Sequence, residues 1–353
     1  MNKRLRSLHS WLGIVSGAFL LVIGMAGAML VFTDDIDRAL NPATDVVRRP
    51  APRIPLNDLL ADVRTAYPQA SLTGVRLQPE RPEAACTIAM NMRGSLWLVE
   101  MDPYSGAILS TRNLDHSFMR QVLALHRSFF FRPWGEAAVG LLAILFFTSA
   151  LTGLILHRHS LARIFTVVSR WRSGTKARLF DLHTTVGTLA CLFQLTMSAT
   201  GFYMISPVYK RIVTGAGQGT AWMPLPRPSL DSLLTVAAQA LPGFQPRLIS
   251  LPNMPGKPIR VTGSVDGTCI MYGTAGSAVT FNPASGAMIQ ALDISKAPFA
   301  DRLEQVVRSV HFGQYGSLPV RIIYSLGGLT PGVLSITGAI MWLRKRRRKN
   351  YER

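Results

Sequence analysis

Four stretches of the chain carry no charged residue: 11–32, 137–156, 184–209 and 322–343. Each is at least as long as the roughly 20 residues a helix needs to cross about 30 Å of hydrocarbon. With 48% apolar residues and a positive mean hydropathy, the chain is also too apolar for an ordinary soluble enzyme of its length. Four membrane-spanning helices are the first expectation.

The net charge of +19 suggests a nucleic-acid binder until its distribution is examined. The two ends and the loop between the second and third stretches hold sixteen basic residues: Lys3, Arg4, Arg6, Arg158, Arg163, Arg170, Arg172, Lys176, Arg178, the run 344–349 and Arg353. Only Asp181 and Glu352 oppose them there, whereas the two long loops hold 22 basic and 17 acidic residues. This is the positive-inside pattern, and it places both termini and the middle loop in the cytoplasm and both long loops outside. The charge reports topology in a membrane, with lipid and not nucleic acid as the partner. The first stretch exceeds the about 7–15 residues of a signal-peptide core, so an uncleaved anchor is expected. The three cysteines, Cys86, Cys191 and Cys269, show neither metal-site spacing nor a disulfide framework, although Cys86 and Cys269 would share the oxidising side.

Internal similarity sets the architecture. Leu8-His9 followed by Gly13 and Gly27 matches Leu182-His183 followed by Gly187 and Gly201 at the same spacings. Residues 99–108 match 279–288, and the opening 56–60 matches 230–234. His126 precedes Thr152-Gly153 as His311 precedes Thr337-Gly338, with 26 residues from His to Thr in both. The chain therefore reads as a parallel tandem repeat with its pseudo-twofold axis along the membrane normal. The expected fold is an α-helical membrane protein of four transmembrane helices with two small α+β periplasmic lobes.

By residue, a first helix occupies 1–33 and a first lobe 34–120. A second helix with its outer histidine segment covers 121–160, and a cytoplasmic loop 161–182. The third helix spans 183–209, the second lobe 210–310, and 311–343 the outer histidine segment with the fourth helix; a basic tail covers 344–353. Each lobe opens with an amphipathic segment, 56–66 or 230–240, followed by short strands: 85–90 with 96–101, and 259–263 with 269–272. Asp102-Pro103-Tyr104-Ser105-Gly106 and Asn282-Pro283-Ala284-Ser285-Gly286 carry turn chemistry. Proline-rich segments at 42–55 and 224–228 are linkers.

The seven histidines are placed with the repeat. His9 and His183 begin the first and third helices; His126 and His311 stand just before the second and fourth. A twofold axis would turn each pair to face itself across the bundle. One interfacial histidine needs no function, but four paired at two depths point to metal. No Cys, Asp or Glu joins them, so tetrahedral zinc does not fit. Two trans imidazoles suit an iron whose macrocycle leaves only axial positions, which is b-type haem, two per chain, held non-covalently since Cys-x-x-Cys-His is absent. Gly13 and Gly187, four residues after His9 and His183, would let a porphyrin lie close. His157 ends the second helix without a symmetric twin and competes with His9 or His183 as an inner ligand, or merely lines the site. His116 and His159 read as solvated. Arg127 and Arg308 either clamp propionates or another anion, or snorkel to the interface.

Leu8-His9-Ser10-Trp11-Leu12-Gly13, Asp181-Leu182-His183, Leu125-His126-Arg127 and the turn Asp102-Pro103-x-Ser105-Gly106 resemble the PepSY-associated transmembrane family over essentially the whole chain. The resemblance implies an inner-membrane ferric-siderophore reductase, an oxidoreductase of iron acquisition with two embedded haems and PepSY-like lobes. Ser105 and Ser285 stand where family turns more often carry Thr. An inner haem on His9 and His183 would take electrons from a quinol, a diffusing reductant or another protein, since no nucleotide fingerprint is present. An outer haem on His126 and His311 would pass them to a ferric-siderophore docked between the lobes near Phe129, Phe130, Phe131, Trp134, Phe312 and Tyr315. Two readings compete: a PepSY-type peptide- or protein-binding regulatory module without redox activity, and a quinol oxidase subunit or copper reductase. The fourteen methionines are scattered singly, as packing residues would be.

Overall fold

The computed structural model describes residues 3–42, 52–78, 81, 84–158, 175–214, 221–313 and 315–351. They fall into two compact units: a helical unit of 1–33, 122–216 and 311–353, and a sheet unit of 34–121 and 217–310. The loop 161–174, His159 and most of the 42–55 linker lie outside the described residues.

Four long helices build the helical unit: α1 (Lys3–Leu30), α5 (Trp134–His157), α6 (Thr175–Thr214) and α9 (Leu318–Tyr351). All four are long and apolar enough to cross a membrane. Much of their apolar surface points outward, with Leu192 78% and Leu189 67% exposed, as hydrocarbon-facing residues would be. Hydroxyls inside the helices return to carbonyls one turn back, as Ser16 does to Leu12 and Ser198 to Gln194, and the Gln194 amide donates to Thr330. No polar group named here faces apolar surroundings unpaired. α1 packs most extensively on α9 and α6 on α5, with lighter α1–α5 and α6–α9 contacts. The order around the bundle is therefore α1, α9, α6, α5, and α1 faces α6 across a diagonal. Small residues make the tight crossings: a Cβ on Gly24 would stand 2.5 Å from the Gly328 carbonyl oxygen on α9.

The sheet unit corrects the expectation of two separate lobes. Helix α2 (Thr33–Leu40) precedes it; α3 (Leu56–Ala66) and α7 (Leu230–Ala240) each open one half. The strands are β1 (Ser71–Arg76), β2 (Cys86–Met92), β3 (Ser95–Met101), β4 (Ile108–Asn113), β5 (Phe244–Ser250), β6 (Ile259–Val265), β7 (Ser277–Phe281) and β8 (Met288–Leu292). They form one antiparallel sheet ordered β4-β3-β2-β1-β5-β6-β7-β8. The halves join where Val75 of β1 meets Ile249 of β5, and both residues are fully buried. One continuous core runs across the seam, from Leu59, Leu60 and Val63 of α3 to Leu230, Leu233 and Ala237 of α7. The helix N-termini cap one another: the Leu56 amide donates to Asp231 at 2.9 Å and the Leu230 amide to Asn57 at 2.7 Å. A pocket remains between the halves, lined by Arg53, Leu59 and Cys86 of the first and Asp231, Leu234 and Pro246 of the second.

The residues 85–90 and 96–101 pair as expected, within β2 and β3. Residues 269–272 do not form a strand: Ile270–Tyr272 is a short 3-10 turn, and β6 pairs with β7 instead. The glycine at Gly273, with φ of 67°, ends that turn where an extended residue could not. Both Pro-x-Ser-Gly turns form, with φ of 75° at Gly106 and Gly286. Helices α4 (Phe118–Ser128) and α8 (Phe299–Phe312) then lead into α5 and α9.

Gly24→Leu should overpack the α1–α9 crossing and cost about 1–3 kcal/mol, read as a lowered thermal unfolding midpoint of the purified chain in detergent.

Candidate functional site

Two pairs of histidine rings face one another inside the helical unit. His9 on α1 and His183 on α6 have ring centres 6.3 Å apart and planes crossed at 81°. His126 at the end of α4 and His311 at the end of α8 have ring centres 6.4 Å apart and planes at 53°. His126 reaches the carbonyl of Ile23, fourteen residues beyond His9 on α1. At 1.5 Å rise per residue the two pairs thus lie about 20 Å apart along the helix axis.

Each ring is held at Nδ1. His126 Nδ1 donates to the Ile23 carbonyl at 2.9 Å. His9 Nδ1 lies 3.1 Å from both the Ser149 carbonyl and Thr152 Oγ1. His183 Nδ1 meets Thr337 Oγ1 at 2.8 Å, and His311 Nδ1 meets Thr200 Oγ1 at 2.9 Å. A carbonyl can only accept, so Nδ1 of His9 and of His126 carries the proton and Nε2 is left as a lone pair. Thr152, Thr337 and Thr200 also reach a carbonyl of their own helix, and a threonine that donates there accepts from the ring.

Glycines finish the seats. A Cβ on Gly27 would stand 3.0 Å from Cε1 of His126, and one on Gly201 would stand 3.2 Å from Cε1 of His311. Likewise Gly153 meets His9 at 3.1 Å and Gly338 meets His183 at 3.4 Å. Side chains at these four positions would push the rings out of place. Gly13, by contrast, has nothing within 4 Å of its missing Cβ, and Gly187 only a Leu334 methyl at 3.5 Å. Those two leave open space beside the histidine-bearing helices.

The spacing of the rings has a direct chemical meaning. Imidazole–metal bonds run about 2.0–2.1 Å and a ring centre lies about 1.1 Å from its nitrogen, so trans imidazoles on one metal put their centres about 6.2–6.4 Å apart. Both pairs match that figure. Among the described residues no group of three or more His, Cys, Asp or Glu converges, so the donor set is two imidazoles per site. That set suits an iron whose equatorial positions are already filled.

His157 rests edge-on against Phe180 at 5.8 Å and lies near enough to His9 and His183 to interact electrostatically with both, while the ring that meets His9 directly is that of His183. His116 is exposed. Arg127 pairs with Glu136 at 2.8 Å, and Arg308, one turn before His311, pairs with Glu304 at 2.9 Å. Phe312 stacks edge-on against His311, and Tyr315 bonds Tyr324 at 2.8 Å. Cys86, Cys191 and Cys269 are free thiols, and burial pushes Cys86 up to about 12, which removes it as a nucleophile at neutral pH. Sequence reasoning did not foresee the roles of Thr152, Thr200 and Thr337, nor of Gly153 and Gly338. The recurrent Thr-Gly pair that dated the repeat was the available signal.

A family model described as PepSY-associated TM region matches residues 6–345. The chain belongs to that family. No curated protein matches it. Membership covers all four long helices and the sheet unit, and with the helices it makes this a membrane protein of the PepSY-associated type.

Thr337→Val removes the hydroxyl that seats His183 and should weaken retention of a ligated group at that pair by about 10–100-fold. Haem transfer to apomyoglobin measures this, with Thr337→Ser restoring the parent value.

Proposed function

We propose that the protein carries electrons across the bacterial inner membrane through two b-type haems, and reduces a ferric-siderophore on the periplasmic side. The observation that carries this is the pair of ring separations, 6.3 and 6.4 Å, each made by imidazoles already engaged at Nδ1. In this reading His9 and His183 would hold the haem on the cytoplasmic side, and His126 and His311 the one on the periplasmic side. A haem so ligated supplies a reversible one-electron Fe(III)/Fe(II) couple.

The chain's own residues do the rest. Thr152, Thr337, Thr200 and the Ile23 carbonyl hold the rings at Nδ1, and the four glycines hold ring position. The apolar helices exclude water from both seats. Two sites at different depths divide a membrane about 30 Å thick into shorter transfers. One electron enters from a quinol, a diffusing reductant or a partner protein and leaves to Fe(III) in the chelate. The resulting Fe(II) binds oxygen ligands less tightly and is released.

The topology belongs to the same proposal. The basic ends and middle loop set both termini in the cytoplasm, which leaves the sheet unit periplasmic. We read the two halves as a tandem duplication. Support comes from the matched bulges before Met101 and Phe281, and from the reciprocal caps by the matched positions Asn57 and Asp231.

Pyridine haemochrome analysis of the detergent-solubilised chain should give two haems. His126→Ala or His311→Ala should leave one haem and abolish reduction of the periplasmic acceptor, while His157→Ala should leave both. A colourless parent protein would overturn the reading in favour of a binding module; loss of a haem in the His157 variant would reassign the inner ligands.

A further inference from the structure

Glu136, in the first turn of α5, is 1% exposed, and three arginines converge on it. Arg127 and Arg132 each place Nε 2.8 Å from Oε1, and Arg211 of α6 stands 3.8 Å from Oε2. Arg132 and Arg211 by themselves outnumber the carboxylate they share, which leaves an excess of positive charge. The arginine side chains remain partly open, at 43%, 52% and 32%, so the excess reaches the surface. Three aromatic side chains of the same loop, Phe130, Phe131 and Trp134, are 58–65% exposed. Phe129 and Phe130 have φ of 47° and 65°, a conformation that bulky residues rarely adopt.

The repeat shows that the fold does not require this cluster. Most of the features that build the bundle occur twice: the histidines, their glycines, and Thr152 with Thr337. The four members of the cluster occur once. Their matched positions are Phe312 for Arg127, Ser317 for Arg132, Arg321 for Glu136 and Asp37 for Arg211. Arg321 donates to the Val31 carbonyl and lies over Phe32, so the second half makes its turn into α9 by other means.

We infer that Arg127, Arg132 and Arg211, organised by the buried Glu136, form a docking site for an anionic chelate at the end of the bundle that holds the His126–His311 pair. The site selects for negative charge, while the exposed aromatics offer apolar contact to the organic part of the ligand. This rests on the proposed function for its purpose, and assigns the acceptor to the anionic class. Lipid phosphate shares the same chemistry, so the test separates the two sources.

The probes are gallium(III) chelates, which bind without accepting electrons and so report docking whatever the haem content. Full-length protein in phosphatidylcholine nanodiscs is titrated with anionic gallium–EDTA and cationic gallium–desferrioxamine B. Gallium–EDTA should bind, weaken as salt is raised, and lose at least about tenfold affinity in Arg132→Gln and Arg211→Gln. Arg132→Lys should recover part of the loss, and unchanged thermal midpoints would show that the variants fold. Equal binding of the two chelates, or no effect of either variant, would overturn the inference. So would complete loss of gallium–EDTA binding when phosphatidylglycerol is added, which would assign the arginines to lipid headgroups. Two haems in a protein that fails these titrations would refute the docking site alone.

Discussion

An imidazole inside an apolar bundle has two nitrogens to satisfy, and this bundle satisfies one. Nδ1 of each ring meets a carbonyl or a threonine hydroxyl. All four histidines keep part of their surface accessible, and none of their ring nitrogens is buried without a partner. The rings are thus oriented from one side and left reachable on the other, which is the arrangement a ligand needs and a packed core histidine does not.

The sheet unit obeys a different constraint. A four-stranded sheet ending at β1 or β5 would expose a row of unpaired amides and carbonyls. Joining the two edges removes both rows at once, and Asn57 and Asp231 fix the helices above the seam. The matched irregularities before Met101 and Phe281 keep the outer strands in step with their turns.

Much of this was legible in the chain. Charge-free length gave the four helices, and equal spacings from His9 and His183, or from His126 and His311, gave the pairing. The fused sheet was not legible, because backbone hydrogen bonds join β1 to β5 and leave no mark in side-chain patterning. The strand expected at 269–272 failed because Gly273 and Gly276 turn the chain there. Glu136 escaped notice because one acid at the start of a long apolar helix looks like an interfacial residue. Its burial depends on arginines drawn from α4, from the turn before α5 and from α6. The seating threonines look like ordinary helix residues until the rings are placed against them.

Helix α1 leans chiefly on α9, and α6 on α5, so each long helix of one half has its main neighbour in the other. The ring couples obey the same exchange, with His9 and His126 in the first half and His183 and His311 in the second. A polypeptide of half this length would own a single member of every couple and could close neither seat unaided. It could close them only beside a second copy, whereas within one chain the two halves need not match, and around Glu136 they do not.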